Sequence, residues 1–277
     1  MTLSVRNNFF KGGIILAVLS LCLVAFVGYL AYPALPDASS SSTMRSQGMI
    51  QSLMESLAQP STHIPFWAML CAVMYSLVSM ILIYNFFEKT QSPEILFIGF
   101  FVISLTFEFA RIVIPFRMVY PFPAEYLVIA SRVLLFGRHF GLFSLFAASV
   151  YASGLDSQNQ SNIFSILGLT ALFIALNVPI DSLVWDSTFM LWNGYRSMFY
   201  TLEIGILVVS MGTFFIAAHS RGSESYVLIG IGSFLALAGR NILINSDTLT
   251  TLVPGFVILV IGTWFICARL HKEYLWL

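Results

Sequence analysis

An all-α integral membrane protein, a polytopic bundle of about eight transmembrane helices, is the fold expected of this chain on three grounds. Hydrophobic residues fill 58% of the 277 positions and charged residues only 9%, against about 25% charged in an ordinary soluble domain. Eight near-continuous apolar runs are each about 20 residues long, enough for a helix to cross a hydrocarbon core of about 30 Å. The alternating pattern of barrel strands is absent, so helices are left to satisfy the backbone in lipid.

The runs lie near 14–32, 65–87, 94–116, 124–151, 162–180, 197–218, 225–244 and 251–270. They divide the chain into an N-terminal segment 1–13, a first helix 14–32, a segment 33–64, a seven-helix core 65–270 and a C-terminal segment 271–277. The first run follows a basic flank and leads into a Pro/Ser-rich stretch, as a signal peptide does. It exceeds the usual signal core of about 7–15 residues, and no small-x-small cleavage site follows. We therefore expect a retained helix or uncleaved signal anchor.

Basic residues orient the bundle. With both termini cytoplasmic, Arg6, Lys11, Lys89, Arg221, Arg269 and Lys272 flank the inner side, and Arg45, Arg117 and Arg196 fall outside. Such an excess marks the cytoplasmic face, and we expect a bacterial cytoplasmic (inner) membrane. In the extracytoplasmic segment, Met49, Ile50, Leu53, Met54 and Leu57 share one helical face, the spacing of a short amphipathic helix. The outer loop 181–196, "DSLVWDSTFMLWNGYR", carries Trp185, Trp192 and Tyr195 and is expected to lie at the headgroup level, with a lid or partner-contact loop as the alternative. The inner loops are too short for a catalytic domain, so a cytoplasmic signal has to pass through helix ends.

Six charges and a histidine interrupt the spans: Glu108, Arg111, Arg132, Arg138, His139, Glu203 and Arg240. Each ion costs roughly 2.5–3.5 kcal/mol to insert, so such residues pair, face the bundle interior or line water. Glu108, Arg111 and Arg240 come late in helices running outward, whereas Arg132 and Glu203 come early in helices running inward. All five are expected in the outer half of the membrane, with Arg138 and His139 nearer the middle. Glu108 and Arg111 form an i, i+3 pair, and Arg132 shares a helix face with His139.

Two roles remain open for this layer. It is either a structural network that fixes helix register, or a pocket whose surplus Arg binds an anionic group through its guanidinium fork. In the seventh helix, Gly230, Gly232, Ser233, Ala236 and Gly239 favour close approach of a neighbouring helix.

Other chemistries find little support. Thirteen basic and thirteen acidic residues cancel, without a basic cluster for nucleic acid. Cys22, Cys71 and Cys267 fall in apolar runs without metal or disulfide spacing. His63, His139, His219 and His271 offer no i, i+3 or i+4 ligand pair, and we expect no metal and no cofactor. Flanking Arg would make Glu108 and Glu203 poor general acids. We expect a non-enzymatic, receptor- or sensor-like protein, or a subunit of a membrane complex. It would work in the lipid bilayer with a small anionic ligand from outside and a membrane or cytoplasmic protein partner. A transporter or channel for a small anion or anionic metabolite is the alternative, and an intramembrane enzyme the third.

Overall fold

A computed structural model describes residues 3–34, 59–88, 90, 92–155, 159–180 and 183–275. The expected amphipathic helix around Met49–Leu57 lies outside the described residues. Eight helices long and apolar enough to cross a membrane form an all-α bundle. They are α1 (Leu3–Ala31), α2 (Ile64–Phe87), α3 (Pro93–Val119), α4 (Glu125–Ala152), α5 (Gln160–Asn177), α6 (Arg196–Arg221), α7 (Ser225–Ile244) and α8 (Leu249–Leu275).

Helix α3 is the axis of the bundle. Of its most apolar window, 78% is buried, against 11% in α5 and 17% in α6. Helices α1, α2 and α4 pack on α3, α7 and α8 form a tight hairpin beside α2, α6 bridges α4 and α7, and α5 leans on α4. The outward faces of α5 and α6 carry exposed Leu169, Phe173, Val208 and Ile216, as lipid contact requires.

Helix α1 begins at Leu3, well before its apolar run. Its Arg6 is buried and caps the end of α2, donating to the carbonyls of Phe87 (2.8 Å), Glu88 (2.7 Å) and Thr90. The last carbonyls of a helix have no donor within it, and a guanidinium offers five N–H groups and a favourable charge there.

The close approach expected of α7 is made with α8. A Cβ on Gly239 would lie against the Leu259 backbone nitrogen, and one on Gly255 would come within 2.7 Å of that of Leu243. Gly232 and Gly262 repeat the arrangement seven residues along, so the two backbones touch over two turns.

Inside α3, residues Leu105–Ile112 wind as a 3₁₀ helix. The Leu105 N–H turns to Val102 O, three residues back, so the Phe101 carbonyl loses its α-helical donor. Ser104 Oγ supplies a replacement at 2.6 Å. Downstream, Pro115 has no N–H for the Arg111 carbonyl and crowds it. Glycines on α4 admit the altered segment: a Cβ on Gly137 would strike Phe107 Cβ, and one on Gly141 would strike Ser104 Oγ.

Candidate functional site at the distal end of the bundle

The 3₁₀ winding sets the site. Residues three apart eclipse one another in this helix, so Glu108 and Arg111 stack on one edge and pair at 3.3 Å, both 2% exposed. From α4, Arg138 forks onto the same carboxylate, Nε to Oε1 at 2.8 Å and Nη2 to Oε2 at 3.0 Å. Two-pronged charged hydrogen bonds of this kind are among the strongest in proteins. Two further Arg111 hydrogen bonds go to the carbonyls of Ile244 (3.1 Å) and Thr188, while its Nε is buried without a hydrogen-bond partner among the described residues.

Thr188 belongs to the loop between α5 and α6, whose described part reads differently from a surface segment. An isolated bridge joins Trp185 to Leu191, and the tip between them folds into the bundle, burying Thr188, Phe189, Met190 and Leu191. Trp185, Trp192 and Tyr195 stay on the exposed side. The expectation of a loop lying wholly at the interface is therefore corrected: its tip plugs the bundle.

Asp186 builds the plug. Its Oδ1 accepts from the Thr188 N–H (3.0 Å), Thr188 Oγ1 (2.7 Å) and the Met190 N–H (3.1 Å), while Oδ2 takes Arg196 at 2.8 Å. Burial alone would push the Asp186 pKa up, but the bonds from Thr188, Arg196 and Met190 prevail and hold its carboxyl below the ordinary value. The plug is thus pinned by a carboxylate charged at neutral pH. Phe189 at its turn takes φ 56°, an uncommon conformation for an aromatic residue.

Between α4, α6, α7 and this plug lies a cavity of about 310 Å³. Arg138, His139 and Arg240 lie deep in it, and Arg196, Tyr200 and Asn245 reach the exposed surface at its rim. His139 Nδ1 meets the Leu135 carbonyl at 2.8 Å. Because a carbonyl only accepts, that nitrogen carries a proton, leaving Nε2 for another partner. Arg240 is 2% exposed and donates from Nη2 to the Arg138 carbonyl at 2.9 Å. Its Nη1 is buried without a hydrogen-bond partner among the described residues. Glu203 also lines the cavity, half-buried, and makes no hydrogen bond or ion pair with a described residue.

Six of the seven residues singled out in the sequence therefore meet at one place: Glu108 and Arg111 beneath the cavity, and Arg138, His139, Glu203 and Arg240 in its wall. Arg132 does not join them. It has no ion pair or hydrogen bond with a described residue, and its Nε is buried unpartnered. Arg138, placed by sequence apart from the outer layer, is instead the principal partner of Glu108. Arg132 shares a helix face with His139 but lies about two turns nearer the start of α4 and is not in the cavity wall, whereas Arg138, about a third of a turn around from Arg132, reaches Glu108.

Sequence reasoning missed Asp186, Asn193, Asn241 and Asn245 in the cavity wall, and the ion-pair role of Arg196. The "DST" turn chemistry was the available signal for Asp186. It also missed a second charged cluster at the opposite end of α3. There Glu94, 1% exposed, accepts from Ser92 Oγ (2.6 Å) and Tyr274 Oη (2.8 Å), with Arg221 at 3.7 Å. Helix α3 is thus tied by a buried carboxylate at its start and by another near its middle.

Among the described residues no three His, Cys, Asp or Glu side chains gather where a metal ion could be held. The arrangement can donate strong hydrogen bonds from Arg240 and accept them at Glu203. The Glu108 carboxylate, saturated by two guanidinium groups, is held as an anion. The sequence matches no protein-family model, and a search of curated proteins found no match.

Proposed function

We propose that this chain is a non-enzymatic receptor- or sensor-type membrane protein, working alone or as a subunit of a membrane complex. Its ligand is a small polar molecule taken into the α4–α6–α7 cavity. The excess of Lys and Arg at the helix ends near both termini makes that face cytoplasmic and the cavity extracytoplasmic, in a bacterial cell membrane. One observation carries the reading: the cavity wall holds two charged groups, Arg240 and Glu203, that are incompletely paired among the described residues. A buried donor without a partner costs about 1–3 kcal/mol, more when charged, and a bound ligand would recover that cost.

The means of signalling follows from what the cavity touches. Arg240 is bonded to the Arg138 carbonyl, Arg138 is forked onto Glu108, and Glu108 sits in the 3₁₀ stretch of the axial helix. Mid-helix 3₁₀ segments often mark hinges. Rewinding this one would rotate α3, which carries Glu94 and its contacts with Tyr274 and Arg221 at the far end. A cytoplasmic protein partner reading those helix ends completes the scheme. The same hinge is what favours the alternative, a transporter for a small anion or metabolite.

Cysteine accessibility separates the two. With Cys22, Cys71 and Cys267 replaced by Ala, Asn241→Cys should react with a membrane-impermeant maleimide in right-side-out vesicles and stay unlabelled in inverted ones. Labelling from both sides would sink the receptor reading in favour of alternating access.

A further inference from the structure

Resting on the reading of this cavity as a ligand site, the chemical class of the ligand follows from which charges are already spent. Arg138 is forked onto Glu108, a carboxylate it shares with Arg111, and Arg196 is paired with Asp186 at 2.8 Å. Arg111 lies outside the wall, held by Glu108 and two carbonyls. Among the described residues, what remains in the wall is one guanidinium, Arg240, with an unpartnered Nη1, and one carboxylate, Glu203. These two line the same cavity and lie within electrostatic reach of each other, but no direct hydrogen bond or short ion pair joins them.

We infer that the cavity takes a small zwitterion of amino-acid type, its carboxylate received by Arg240 and its ammonium by Glu203. A simple anion would meet Arg240 but leave Glu203 facing it as a like charge. A simple cation would do the reverse. Only a molecule carrying both charges satisfies both groups without adding net charge to the interior.

The rest of the wall agrees. The side-chain amides of Asn193, Asn241 and Asn245 offer both donors and acceptors to a polar substituent. Phe199 and Tyr200 cover the aliphatic part of such a molecule. At about 310 Å³ the space is at the low end of ligand pockets, which run roughly 300–1,000 Å³. That is the scale of a free amino acid, not of a nucleotide or a lipid.

Thermal denaturation of the purified protein in detergent tests the assignment. The probes are the common α-amino acids and 4-aminobutanoate, each alongside its N-acetyl form, which lacks the ammonium, and its amide, which lacks the carboxylate. At least one parent compound should raise Tm in a saturable manner, and neither of its derivatives should. Glu203→Gln should weaken that compound by at least about tenfold, the loss of one charged hydrogen bond. Arg240→Gln should do the same; if that variant fails to fold, Glu203→Gln carries the test because Glu203 faces Arg240 only at a distance, with no hydrogen bond or short ion pair to a described residue.

Stabilisation by the N-acetyl forms that persists in Glu203→Gln would overturn the zwitterion and leave an anion receptor at the same cavity. No shift with any probe would overturn the inference outright. A stabilising amino acid that accumulates in proteoliposomes would support the zwitterion while removing the receptor reading.

Discussion

Glu108→Ala is expected to destabilise the protein by about 3–5 kcal/mol, the usual cost of removing one partner from a buried ion pair. The carboxylate is 2% exposed and holds Arg138 by two bonds and Arg111 by a third. Both guanidinium groups lose this counter-charge, although Arg111 keeps its hydrogen bonds to the carbonyls of Ile244 and Thr188. Denaturation of the purified protein by SDS in mixed micelles measures the change. A loss below about 1 kcal/mol would mean that water reaches the guanidinium groups. The double variant Glu108→Ala with Arg138→Met should recover part of the loss, because an apolar replacement of a whole buried pair is often near neutral.

Gly239→Ala should be the other severe substitution. The added methyl would lie against the Leu259 nitrogen, with Leu259 Cα at 2.7 Å and the Gly255 carbonyl at 2.9 Å. These are backbone atoms, which no rotamer change can move, so α7 and α8 must part. Overpacking costs typically about 1–3 kcal/mol, and occasionally more; we expect the upper end. Arg240 follows directly in sequence, so parting the helices also displaces the cavity floor. Gly205→Ala in α6 is the control, since nothing lies within 4 Å of its Cβ. Equal effects of the two substitutions on the SDS midpoint would contradict close backbone packing at Gly239.

The two substitutions also mark what could be read from the sequence. Gly239 was legible because small residues at turn spacing have few uses in a membrane helix other than close contact. Glu108 and Arg111 were legible as an i, i+3 pair, and their meeting with Glu203 and Arg240 as a matter of depth, because chain direction converts sequence position into height. Depth says nothing of how a helix is rotated about its axis. Arg132 and Arg138 lie about a third of a turn apart around α4, and the apolar residues on every side of that helix gave no moment to choose between them. The packing of Gly137 and Gly141 on α3 makes the choice.

The 3₁₀ stretch was hidden for a related reason. Pro115 hinted at a break, but Ser104 and the glycines of α4 that admit it act across a helix interface. Loop insertion was hidden further still, since Thr188 is held by Arg111, 77 residues away in sequence. Glu94, at the very start of the third apolar run, gave no sign of its role because its partner Tyr274 is 180 residues distant.

Entry of a ligand into the α4–α6–α7 cavity is tested most directly by protection of a cysteine inside it. In right-side-out vesicles containing Asn241→Cys and no native cysteine, the rate of labelling by an impermeant maleimide is measured with and without the amino acid that raises Tm most. Labelling that slows in proportion to occupancy, and regains its full rate when Glu203→Gln is added, is the expected result. An unchanged rate at concentrations that saturate the Tm shift of the Asn241→Cys protein itself would place the ligand elsewhere and contradict the assignment of this cavity.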